Sequence, residues 1–275
     1  ARNGVRGRAA DSREPGPVAI VHHEDVRRML LAMKASTEAM RALSLYAASQ
    51  IDAADHHPDE EARKAAKARC DLLIPVVKGW CTELGNEVAW TGVQVHGGMG
   101  FIEETGAAQY MRDVRITAIY EGTTGIQAND LLGRKIGRDG GAAMRALLAE
   151  MRQELESLQG GGGVHAVRRA ALEGVSLLQA ATESQLRALQ QSPAHARAVA
   201  VPYLKLCGYV VGGWLMARAA AIASNKAGQP GGEFYASKLC TARFYAGYLL
   251  PRAAALARIV QEGGASVADT DPALL

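Results

Sequence analysis

From residue 24 to residue 54 the positions Val26, Met29, Leu30, Met33, Thr37, Met40, Leu43 and Ala47 recur at steps of three and four. That spacing keeps one stripe of a helix facing a core, and it predicts a long amphipathic helix. The polar break HHPD at 56–59 ends the pattern. A second helix is predicted over about 60–95, with Leu72, Leu73, Val76, Val77, Trp80, Leu84 and Val88 on its apolar face and Pro75 expected to bend it. A short helix near 104–116, a turn at Glu121 and a helix over 125–136 complete the first half. The segment GRDGG at 137–141 punctuates the chain, and beyond it alanine and leucine rise. A domain boundary is expected there, between residues 1–137 and 138–275. In the second half helices are predicted over 142–158, 164–190, 194–227 and 233–263, the first ending at a flexible glycine run at 160–163. Apolar and polar residues hardly ever alternate over four positions, so strands find no support. The expected fold is all-α, two helical bundles in tandem.

Composition adds limits. With 48% hydrophobic residues in 275, sizeable cores can form. The 31 basic and 28 acidic residues are interleaved rather than massed, which argues against nucleic acid. Cys70, Cys81, Cys207 and Cys240 lie far apart with no CxxC pair, so neither zinc nor a disulfide framework is indicated, and a cytoplasmic setting is expected. The longest apolar run, Leu206 to Ala217, is shorter than the ~20 residues of a membrane span and reads as a buried helix. The opening ARNGVRGRAADSREPG lacks the apolar centre of a signal peptide and reads as the continuation of a helix begun earlier, so a fragment is expected.

Candidate chemistry concentrates between Trp90 and Lys135, where a glycine cluster and an isolated Tyr-Glu-Gly-Thr turn separate two helical segments. Glu121 lies between the apolar run Ile116 to Tyr120 and the small residues Gly122 to Gly125, where desolvation would raise its pKa toward a general base's range. By position alone, a solvated turn carboxylate accounts for it as well. HGGMG alone is equally a helix stop followed by a tight turn. Arg112 and Asp113 read as members of ion pairs, and His96 as a packing residue or one bonded to backbone. His22, His23, His56 and His57 form adjacent pairs whose side chains diverge, which suits a metal poorly; no metal site is expected. Met29, Met33 and Met40, and likewise Trp80, Trp90 and Trp214, read as packing residues.

The stretch QVHGGMGFIEETGAAQYMRDVRITAIYEGTTGIQ, Gln94 to Gln127, resembles the C-terminal signature of the acyl-CoA dehydrogenase family: a QxxGGxG(F/Y) element, an RDxRI helix and an IYEGT turn, in order. The helical tail to Leu275 resembles the subgroup with an added C-terminal helical domain. The resemblance implies FAD-dependent α,β-dehydrogenation of an acyl-CoA thioester, with electrons passed to an electron-transferring flavoprotein. It makes Glu121 the catalytic base. It gives Gln94, Gly97 and Gly98 a contact to FAD, commonly that of a neighbouring subunit, which implies a homo-oligomer. Thr123 would lie near the flavin and Gly122 against the acyl-CoA close to its thioester.

Three departures stand out. Gly125 replaces a glutamine that many relatives place two residues after the threonine. Gly4 and Arg6 occupy positions usually held by arginine and glutamine, leaving Arg2 or Arg6 to meet the FAD pyrophosphate. The family's N-terminal helical and middle β-domains have no counterpart, so the chain is expected to need them for tight flavin binding and turnover. A competing expectation is a non-catalytic helical interaction or oligomerisation module derived from the family. The second half carries no catalytic constellation of its own, and its expected job is to cover an acyl pocket or build a subunit interface.

Overall fold

The computed structural model describes residues 5–6 and 16–275. Gly4 and Arg2, and the side chain of Arg6, lie outside the described residues. Apart from one antiparallel pairing of β1 (Val5–Arg6) with β2 (Val18–Ala19), in the register Val5 to Ala19 and Arg6 to Val18, the described chain is helical.

Helices α1 (Glu24–His56) and α2 (Glu60–Val95) form a long hairpin. Asp59 starts α2 by accepting a hydrogen bond from the Ala62 N–H at 3.0 Å, with Glu60 and Glu61 complementing the helix dipole behind it. The helix runs through Pro75, which is buried. Leu72, Leu73, Val76, Trp80 and Leu84 form its core stripe as expected. In mid-α1 the buried positions are the small residues Ala35, Ser36 and Ala39, whereas Thr37 faces solvent and bonds back to the Met33 carbonyl at 2.8 Å. Small side chains let neighbouring helices approach closely, and a hydrophobicity pattern undercounts them.

Short elements follow: α3 (Gly98–Phe101), α4 (Ala107–Arg115) and α5 (Thr124–Asn129), which widens into a π-helical segment over Asp130–Ile136. Gly140 and Gly141, at φ +63° and +85°, turn the chain into α6 (Ala142–Ser157). Then come α7 (Gly162–Gln191), α8 (Pro193–Ala198), α9 (Ala200–Lys226), α10 (Gly232–Phe244), α11 (Arg252–Glu262) and α12 (Gly264–Ala268).

Two of the long helices expected from periodicity are split, both upstream of a proline. Pro202 has no N–H for the Ala198 carbonyl, and α8 ends at that residue. Pro251 cannot continue the ladder either. The turn before it widens over Tyr245–Leu249, with the Leu250 N–H reaching the Tyr245 carbonyl five residues back at 2.9 Å.

Helix α9 is apolar on every side. By length and composition it could cross a membrane, yet 83% of its most apolar window is buried inside the protein, so it serves as the central core helix. It packs against α7, α10 and α11 of its own half and against α1 and α2 of the first. One contiguous core therefore runs from Ala35 to Val260.

Candidate functional site

Glu121 sits in a turn between a 3-10 segment (Ile116–Ala118) and α5. Its φ is +51°, the left-handed region that a β-carbon disfavours, and no other described non-glycine residue adopts it. Gly122 follows at φ +93°, and a Cβ there would come within 3.0 Å of Gln127 Nε2. The turn is pinned from several sides. Lys78 Nζ donates to the Gly122 carbonyl at 2.6 Å while lying over the Tyr120 ring. Gln127 Nε2 donates to the Glu121 carbonyl at 3.3 Å. Thr123 caps α5 by accepting from the Ile126 N–H at 3.4 Å, and the buried Thr124 donates its hydroxyl proton to Glu83 Oε1 at 2.7 Å.

Glu83 stands on α2 and also receives Lys205 Nζ, from α9, at 3.2 Å on Oε2. Burial alone would raise its carboxyl, but the Thr124 hydroxyl and the Lys205 ammonium, with Arg115 nearby, hold it below the usual carboxylate range. Neither Glu83 nor Lys78 stood out in the sequence. Each is a charged residue in a mostly apolar stretch of helix, and that was the signal available.

The expected desolvation of Glu121 is absent from this turn. Its side chain is exposed, and the carboxylate makes no hydrogen bond or ion pair among the described residues. Ile116, Ile119 and Tyr120, which were to dry it, are themselves exposed.

Gln94, Gly97 and Gly98 form a second exposed patch where α2 ends. Gly97 adopts φ +63°, ψ −148°, conformations open to glycine, and initiates α3. A Cβ on Gly98 would meet nothing within 4 Å. His96 bonds the Gly92 carbonyl through Nδ1 at 2.9 Å, the backbone role expected of it. Gln94 lines a groove of about 450 Å³ between the α1–α2 hairpin and the Tyr245–Leu249 turn, with Met29, Met33, Val88 and Leu249 supplying apolar walls and Arg28 and Arg252 the polar rim. Arg252 is fixed there by Glu87 and by the Tyr209 hydroxyl, both at 2.6 Å.

Trp90 lines both the groove and a cleft of about 440 Å³ shared with Glu83, Asn86 and Arg115. Trp90 is not the packing residue the sequence suggested, being 59% exposed. Met99, Phe101, Tyr110, Met111, Ile116, Ile119, Tyr120 and Ile126 are exposed too, so the segment from 90 to 126 carries many apolar side chains on its surface. Arg112 makes a surface ion pair with Glu103, two contacts of 2.8 Å. Among the described residues no three His, Cys, Asp or Glu side chains converge as a metal site.

Residues 5–137 match the family described as acyl-CoA dehydrogenase, C-terminal domain, and residues 144–271 match acetyl-CoA dehydrogenase C-terminal like. The 3-methylmercaptopropionyl-CoA dehydrogenase of Ruegeria pomeroyi is 45% identical over 91% of this chain and 43% of its own length. The broad-specificity linear acyl-CoA dehydrogenase FadE5 of Mycobacterium tuberculosis is 36% identical over 93% of this chain and 44% of its own. The chain thus spans less than half the length of these curated relatives. A Bacillus anthracis acyl-CoA dehydrogenase complexed with FAD shares the fold, with a TM-score of 0.58 at 18% identity over 94% of this chain and 44% of that one. Together with the IYEGT turn and the GGMG bend, these matches make the chain a member of the acyl-CoA dehydrogenase family, carrying that family's C-terminal domain followed by an additional C-terminal helical domain.

Proposed function

We propose that this chain is the C-terminal part of an FAD-dependent acyl-CoA dehydrogenase that introduces an α,β double bond into an acyl-CoA thioester, with Glu121 as the base that removes the α-proton. The observation that carries this reading is the turn itself: a glutamate whose left-handed backbone is held by Lys78, Gln127 and the Thr123 cap, in a segment with many exposed apolar residues. Strain of this kind persists where the surrounding structure over-determines it, and it clusters at functional sites.

The residues present fit a flavin. Gly98 leaves open space where a side chain would stand, and the exposed Gln94 amide projects into a groove large enough for one end of a dinucleotide. Gln94, Gly97 and Gly98 would hold it from one side, as the neighbour's contribution in a homo-oligomer, and Thr123 from the other. FAD, when bound, takes up the hydride from the substrate β-carbon. The chain's own task is to hold the Glu121 carboxylate against the α-proton and to seat the thioester beside Gly122.

A carboxylate left in water is a weak base for so feebly acidic a proton. The exposed apolar residues must therefore be covered, by the remaining domains of the enzyme and by substrate, to dry the carboxylate. Electrons then leave to an electron-transferring flavoprotein. The name of the 45% identical relative makes a methylthio-substituted propionyl thioester the first substrate to assay, beside straight-chain ones.

The test is Glu121→Gln in the flavin-loaded enzyme. Turnover is expected to fall by about 10² to 10⁴ or more while flavin absorbance stays with the protein. Normal turnover would refute the assignment of Glu121 as base, whereas absence of turnover in the flavin-loaded wild type would favour a non-catalytic helical module.

A further inference from the structure

We propose that Lys205, on α9 in the added C-terminal half, is a positioning residue for the Glu121 turn, acting through Glu83 and Thr124. The inference rests on the reading of Glu121 as base and extends it, giving the second helical half a direct part in base geometry.

The left-handed backbone at Glu121 relaxes unless neighbours hold it. Three of its restraints, from Lys78, Gln127 and the Thr123 cap, lie wholly within the first half. The fourth does not. Thr124 is the first residue of α5, three beyond Glu121, and it is buried, so its hydroxyl cannot exchange the Glu83 carboxylate for bulk water. Glu83 accepts the Thr124 proton on one oxygen at 2.7 Å and the Lys205 ammonium on the other at 3.2 Å. A single carboxylate therefore spans the site turn and α9.

Arg115, on the wall of the adjoining cleft, is a further cation that acts on Glu83. With the Lys205 ammonium gone, the electrostatic balance favours rotation of the carboxylate toward Arg115 and away from Thr124. The first turn of α5 then loses its anchor, and the Glu121 backbone is free to drift. Displacement of a reacting group by an ångström can cost about a hundredfold in rate. Lys205 itself need not approach substrate for this to matter.

The experiment compares Lys205→Met, Lys205→Arg and Glu83→Gln. In the flavin-loaded enzyme Lys205→Met is expected to lower kcat about tenfold or more with KM held and the melting temperature lowered by no more than about 2–4 °C, and to displace the pH profile of kcat. Lys205→Arg restores both. The double variant Lys205→Met/Glu83→Gln is expected to be no worse than Glu83→Gln alone, since the two act in series. In the chain by itself, without flavin, hydrogen exchange of the amides at 121–127 is expected to speed up in Lys205→Met.

Unchanged kcat and unchanged exchange in Lys205→Met would overturn the proposal. So would a loss of kcat that follows a larger fall in melting temperature and is not restored by arginine. Glu121→Gln assayed alongside separates the two ideas. If it keeps turnover the base assignment fails, whereas the exchange measurement still decides whether Lys205 holds the turn.

Discussion

The Trp80 indole lies against the backbone of Gly208, so close that a β-carbon on Gly208 would sit 2.1 Å from Trp80 Cγ. Here α2 of the first half crosses α9 of the second with the Trp80 ring seated directly on the Gly208 backbone. Gly79 and Gly212 extend the contact, the first against Leu204 and the second against the Tyr245 hydroxyl, which donates to the Tyr209 carbonyl at 2.9 Å.

Gly208→Ala is expected to destabilise the chain by about 3 kcal/mol or more, because the intruding methyl meets a buried ring that has nowhere to go. Chemical denaturation checks it. Because the core is shared, both halves should unfold in one transition, and two separated transitions in the wild type would contradict this packing.

Glu83 makes stability depend on acid. Its folded pKa lies below the ordinary value of about 4.3, so its contribution is fully present above that value and is lost as pH falls through the lower, folded one. Glu83→Gln should cost about 1 kcal/mol at neutral pH, allowing for the solvent that screens a one-third-exposed side chain. The difference from wild type should shrink as the pH drops below the ordinary value. A difference constant with pH would rule out the ionised tie.

Glu121→Gly should stabilise the chain while abolishing turnover of the loaded enzyme. Relief of the left-handed backbone is worth about 1 to 2 kcal/mol, and the extra freedom of glycine in the unfolded state takes back about half of that. Loss of stability would mean that the glutamate side chain supports the fold.

Two glycines of the GGMG bend should behave oppositely. Gly98→Ala has open space for its methyl, so the melting curve should stay within about 0.5 kcal/mol of wild type while flavin retention by the enzyme falls. A Cβ at Gly100 would sit 2.2 Å from the Val93 carbonyl oxygen, so Gly100→Ala should disrupt the bend with or without flavin. Flavin retention unchanged in Gly98→Ala would remove that residue from the cofactor site.

Much of this architecture was legible in the sequence, because a stripe of large apolar residues marks a helix face whatever it packs against. Helix α2 was found over its full observed length, Glu60–Val95, and α6 and α7 to within two residues at each end. What escaped has physical reasons. The buried face of mid-α1 is made of alanine and serine, which carry little hydrophobic signal. The breaks at Val199 and over Tyr245–Leu249 follow from missing N–H groups at Pro202 and Pro251, each of which acts several residues upstream. At the site, the turn was visible because Glu-Gly-Thr is a local pattern. The exposure of Glu121 and Trp90, and the reach of Lys205 to Glu83 across 122 positions of sequence, depend on tertiary packing alone.

The extra residue accommodated in the widened turn at Tyr245–Leu249 sets the rotational phase of everything after it. An α-helix advances about 100° per residue, so deleting the exposed Gly247 would tighten that turn and swing α11 by more than a quarter of a revolution. Arg252 would point away from Glu87 and Tyr209, and Ala253, Ala257 and Val260 would leave the core. Single-residue deletions should be far less tolerated in this turn than between Gly228 and Gly231, where the chain is already in a solvent-facing loop that can absorb a change of length.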